Sequence, residues 1–74
     1  MEKIFVQVKS KKTDNGEIIP LSLSWIDGRT WKIDRVIHSC SSLSGDFEGI
    51  RYTVIIGNEE RYIYRTGHDW YVTA

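Results

Sequence analysis

The 74-residue chain has one cysteine, one proline and one methionine, and no excess of either charge. The single Cys40 cannot close an internal disulfide, which excludes the disulfide-stapled secreted scaffolds and points either to a reducing compartment or to a thiol of no consequence. No apolar run approaches the about 18 residues that mark a membrane-spanning helix. No basic, then apolar, then small-residue leader follows Met1. The expectation is therefore a cytoplasmic chain that is not inserted in a membrane. Ten Lys plus Arg balance ten Asp plus Glu. That neutrality argues against a protein held to nucleic acid mainly by phosphate contacts. It also gives little electrostatic protection against self-association, so a monomer or weak homodimer is expected. Internal repeats, lipidation signals and low-complexity tails are missing, and no segment has a helical period.

What the chain does have is aromatic and alternating. An apolar fraction of 41% and an aromatic fraction of 12% are those of a folded domain and not of a disordered segment. The length allows one domain, residues 1–74, whose folding buries only about 60% of the surface of the unfolded chain. Three Trp and four Tyr then carry much of a small core, because each ring buries a large area.

Residues 3–9 alternate, with Ile4, Val6 and Val8 on one face and Lys3, Phe5, Gln7 and Lys9 on the other. That period of two predicts a first strand. Residues 18–25 alternate too. Ile19, Leu21, Leu23 and Trp25 are expected on one face, with Pro20, Ser22 and Ser24 on the other. Pro20 donates no ladder hydrogen bond and belongs at a strand start or an edge. A third strand is expected over 29–37. A three-residue loop, Ile26-Asp27-Gly28, pairs Leu23 with Trp31 and unites the apolar faces. A two-residue turn would set every large apolar residue against a polar one. The three-residue loop requires a left-handed residue at its last position, which Gly28 supplies. The apolar pattern then skips from Ile33 to Val36, predicting a bulge near Asp34-Arg35.

Residues 38–49 are rich in Ser and Gly and read as the longest connection, tacked to the core by Leu43 and Phe47 and with room for a short helical turn. Strands are expected at 50–56 and 61–65, joined around Gly57-Asn58. Tyr52, Val54 and Ile56 then share a face with Ile63, while Arg51, Thr53 and Ile55 face the other way with Tyr62 and Tyr64. A Gly67-His68 turn sets Tyr71 beside Tyr64; the alternative loop, 65–67, pairs Tyr62 with Trp70. The fold class expected is all-β: a small antiparallel meander of five to six strands, as a half-open barrel or a curled sheet.

From Pro20 to Val72 the chain resembles a family of short bacterial proteins with no assigned activity. The residues that carry the likeness are Trp25, Gly28-Arg29, Trp31, Ile33-Asp34-Arg35-Val36, Arg51-Tyr52-Thr53-Val54, Tyr62 to Tyr64 and Trp70 to Val72. Most are turn and core positions. The resemblance implies a small bacterial β-barrel and brings no activity, cofactor or partner.

No constellation of catalytic type stands out. His38, Cys40 and His68 lack zinc-site spacing. Ser39, Ser41, Ser42 and Ser44 lack the glycines of a nucleophile elbow. Asp34, Asp46 and Glu48 read as solvated charges rather than an acid–base pair. Lys9, Lys11 and Lys12 form a basic cluster diluted by Asp14 and Glu17. Cys40 with either His makes at most a remote nucleophile–base pair, because a domain this small has little room for a deep pocket. The expectation is no enzyme, no cofactor and no metal.

Tyr62, Tyr64 and Tyr71 with Arg51, Arg61 and Arg65 are more informative. Rings interleaved with Arg on a sheet anchor peptides or stack unpaired bases. Ordinary cross-strand packing explains the same tyrosines. Arg51, Tyr62, Tyr64, Arg65 and Tyr71 are the candidate binding residues, for a protein partner before a single-stranded nucleic acid. Trp25, Trp31 and Trp70 read as core.

Overall fold

The structure is a computed structural model that describes residues 2–42, 45 and 47–73. It is all-β, and among the described residues there is no helix. Seven antiparallel strands run in the order β3-β2-β1-β7-β6-β5-β4. They are β1 (Lys3–Lys12), β2 (Ile18–Ser24), β3 (Thr30–Lys32), β4 (Arg35–Ser41), β5 (Ile50–Ile56), β6 (Glu59–Thr66) and β7 (Asp69–Thr73).

The sheet curls into a half-barrel because two of its strands are halves of one bent segment. The single strand expected over 29–37 breaks at Ile33-Asp34. Its first half pairs with β2 and its second half with β5. The expected bulge near Asp34-Arg35 is thus a change of partner, and the register shift itself falls between Val36 and His38. At the break the Ile33 N–H donates to the Leu21 carbonyl and the Asp34 N–H to the Ile55 carbonyl, at 2.9 and 2.8 Å. Two adjacent residues thereby tie the two ends of the strand order together, which sequence periodicity alone did not distinguish from one long strand.

The turns follow their glycines. In the β2–β3 loop, Gly28 takes φ +92°, the Gly28 N–H donates to Trp25 O at 3.0 Å, and Leu23 pairs with Trp31. Gly57 and Asn58 both have positive φ, at 53° and 67°. They join Ile56 to Glu59 in the two-residue turn that favours such residues. Asp34 braces that turn, its Oδ2 accepting from the Gly57 N–H at 3.0 Å. Gly67-His68 joins Thr66 to Asp69, so Tyr71 does lie opposite Tyr64.

The core lies on the concave face. Ile33, Tyr52, Val54, Ile63 and Trp70 are buried there against Val6, Val8, Val36 and Val72. Alternation failed in β2. A register shift opposite Lys9-Ser10 takes Leu21 out of the ladder, so Pro20 is buried and Leu21 is 38% exposed, the reverse of the expected faces. Pro20 does sit on an edge, beyond the Ser22–Ser24 stretch that pairs with β3.

The segment 38–49 begins as strand and not as loop, because His38 to Ser41 pair with β5. Leu43, a proposed tack, lies outside the described residues. Phe47 does pack inward, its ring 5.4 Å from that of Tyr64.

Candidate functional site

Register puts one row of side chains across the convex face: Phe5 beside Tyr71, Tyr71 beside Tyr64, Tyr64 beside Arg51, and Arg51 beside Cys40. Tyr64 and Tyr71 stack nearly parallel, centroids 4.9 Å apart and planes at 6°. Phe5 meets Tyr71 edge-on at 5.8 Å. Such a row would be an exposed aromatic platform if nothing covered it.

Residues 47–49 cover its Tyr64–Tyr71 centre and leave Phe5 exposed. The Tyr71 hydroxyl donates to the Glu48 carbonyl at 3.0 Å, Lys3 Nζ pairs with Glu48 Oε1 at 2.6 Å, and the same ammonium stands 5.1 Å from the Tyr71 centroid. Tyr64 and Tyr71 are consequently 5% and 1% exposed. Gly49 makes the crossing possible: its φ is +81°, and a Cβ there would lie 2.0 Å from the Arg65 carbonyl oxygen. The Lys3 hydrogen bond, followed by its charge, holds the Glu48 carboxyl below its usual value. Reciprocally, Glu48 raises Lys3.

The candidate binding residues therefore separate. Tyr62 is 48% exposed on the convex face. The Arg51 guanidinium lies between the Tyr62 and Phe47 rings, 4.7 and 4.9 Å from their centroids. Its Nε is buried with no hydrogen-bond partner among the described residues. Tyr64 and Tyr71 form a small second core beneath residues 47–49. Arg65 falls on the concave face, donating from Nε to the Tyr52 hydroxyl at 3.3 Å and from Nη1 to the Gly67 carbonyl at 3.0 Å. Arg61 pairs with Val54 in register on that same face and is ion-paired with Glu59. Only Arg51 and Tyr62 remain as an accessible pair.

A second surface was not foreseen. β6 pairs with β7 only over Tyr64–Thr66, and the other half of β6 looks across a groove toward the β2–β3 hairpin. The groove has a volume of about 860 Å³, with Leu23, Ile63 and Val72 among its apolar lining, Trp25 and Trp31 toward the hairpin and Tyr62 on the β6 side. Trp25 and Trp31 are only half-buried, so the reading of both as core holds in full for Trp70 alone. They meet edge to face at 6.5 Å and 84°. The Arg29 guanidinium lies 5.2 Å from the Trp31 ring, anchored by Asp27 Oδ2 at 2.7 Å. The Arg29 backbone N–H, and then its side chain, depress the Asp27 carboxyl. The sequence signal was present, since Trp25 and Trp31 flank the glycine turn. What it omitted was that β7 pairs with β6 only over Tyr64–Thr66, so that the rest of β6 borders an open groove shared with both tryptophans.

Among the described residues no group of three or more His, Cys, Asp or Glu could hold a metal ion. Nor, among the described residues, is any helix long and apolar enough to cross a membrane. Fold and site together define a small all-β half-barrel with an aromatic groove at one mouth. No family model, no curated protein and no solved structure matches the chain.

Proposed function

We propose that this domain is a non-enzymatic protein-interaction module that takes an extended peptide in the groove between Trp25-Trp31 and Tyr62. The observation that carries the reading is the half-buried, edge-to-face Trp25–Trp31 pair lining an apolar groove. Rigid rings in a groove supply contact area at low entropic cost, and grooves so walled suit extended, proline- or aliphatic-containing segments. Arg29, Glu59, Glu60 and Arg61 along the groove supply both signs of charge to orient such a segment. A bacterial, cytoplasmic setting, implied by the resemblance of residues 20–72 and by the lone Cys40, belongs to the same proposal.

The test is selection from a displayed random-peptide library, followed by titration of the selected peptides. Peptides rich in proline or aliphatic residues are expected. Trp25→Ala and Tyr62→Ala should each weaken them at least about tenfold, with the dispersed amide spectrum retained. Absence of any consensus, or binding by both variants as tight as by the native chain, contradicts the proposal.

A single-stranded nucleic acid on Tyr62 and Arg51 is the second reading, favoured by the exposed ring beside a guanidinium. Neutral charge and the covered Tyr64 and Tyr71 weigh against it. It requires salt-dependent binding of a short oligonucleotide; a flat titration at low salt removes it.

A further inference from the structure

Unpaired strand flanks are templates for another chain, and folded proteins blunt them with short strands, lysine, proline, charge or cover. Among the described residues, this sheet does so along several of its flanks but not along the outer edge of β4. β3 has three residues. β1 beyond its pairing with β7 carries Lys9, Lys11 and Lys12. β2 beyond its pairing with β3 carries Pro20. β6 beyond its pairing with β7 carries Glu59, Glu60 and Arg61. β4 ends the strand order and has none of these over His38–Ser41. The register shift between Val36 and His38 kinks only its start, so the four residues that follow pair regularly with Thr53 to Ile50. Among the described residues, no turn or loop backbone hydrogen bond reaches that stretch from outside the sheet.

We infer that the outer edge of β4 is a self-association surface, and that its occupant is β4 of a second copy, antiparallel about a twofold axis near Ser39-Cys40. An antiparallel strand is its own complement under a twofold rotation. The charge pattern fits this occupant. Arg35 is the only Lys, Arg, Asp or Glu in the strand. A twofold axis near Ser39-Cys40 sends the two copies of Arg35 to opposite ends of the ribbon, and a chain of net charge zero adds no general repulsion. So short a pairing, flanked by the exposed Ile37, gives a weak dimer that forms at high concentration. It extends the sheet across two copies and lies apart from the Trp25–Trp31 groove.

Sedimentation equilibrium over a wide concentration range tests this, alongside Ser39→Lys and Ser41→Lys. Both positions are exposed, and either lysine sets like charges beside the axis. Monomer–dimer exchange is expected for the native chain, with dimerisation weakened at least about tenfold in each variant. A short bismaleimide should also link Cys40 to Cys40 of the second copy. A native chain that stays monomeric at millimolar concentration overturns the inference. So does a dimer indifferent to both lysines, which would place the contact elsewhere.

Discussion

Gly49 carries the sharpest constraint at the scale of single residues. Any Cβ there meets the Arg65 carbonyl at 2.0 Å, and the backbone stands at φ +81°. Both penalties act on the same substitution, so Gly49→Ala should cost more than about 2 kcal/mol in urea unfolding. Glu48 and Lys3 offer a pH test. The folded Glu48 carboxyl is depressed below 4.5, so its contribution is present above the unfolded value and lost as pH falls through the lower folded one. Lys3 is raised above 10.5, so its contribution holds below that value and is lost as pH rises through the higher folded one. Between these limits the ion pair is intact. An NMR titration of the Glu48 carboxyl carbon should give a midpoint below 4.5, moving up toward 4.5 in Lys3→Ala. Glu48 was legible as a solvated charge and Lys3 only as one position on a face of the first strand. Their pairing joins positions 45 apart in sequence, and no local pattern encodes it. Phe47 was legible as a tack because an isolated large apolar residue in a polar stretch has to bury itself somewhere.

Turn chemistry and strand pairing belong to the scale of the element, where the sequence was most readable. Register in the β2–β3 hairpin followed from matching apolar faces around a glycine that takes positive φ. Gly28→Ala, at φ +92° with open space around the missing Cβ, should cost about 1 kcal/mol, read as a lower urea midpoint with an unchanged slope. The shared faces of β5 and β6 were legible for the same reason, whereas the β6–β7 register was open between two loops, of which the Gly67-His68 turn is the one formed. Two features were hidden. The skip from Ile33 to Val36 marked a bend, but a bulge within one strand and a change of partner at Ile33-Asp34 break the alternation alike. The slip that buries Pro20 and exposes Leu21 depends on the β1 strand opposite. Alternation names faces only while register is unbroken.

At the scale of the whole molecule, the concave core and the convex Tyr64–Tyr71 pair share one sheet, so both faces of β6 and β7 are dry at their centres. That explains why, of the three tyrosines read as a binding face, Tyr64 and Tyr71 are buried and Tyr62 alone stays exposed, and why the proposed peptide site lies at the mouth of the half-barrel. Stability in a domain of this size is about 0.05–0.15 kcal/mol per residue. Ile63, 1% exposed, should therefore be decisive: Ile63→Ala costs about 2–5 kcal/mol, enough to populate the unfolded state in a thermal melt. Tyr62→Ala, next to it in sequence but on the open surface, should cost no more than about 1 kcal/mol, the scale of its contact with Arg51. The central claim is that the Trp25–Trp31 groove receives a peptide. It is tested most directly by following the amide and indole resonances of the labelled domain as a library-selected peptide is added. Shifts concentrated on Trp25, Trp31, Ile63 and Val72, with Gly49 and Tyr71 unmoved, are the predicted result. Shifts confined to Arg51 and the convex face, with the indoles unchanged, would contradict it.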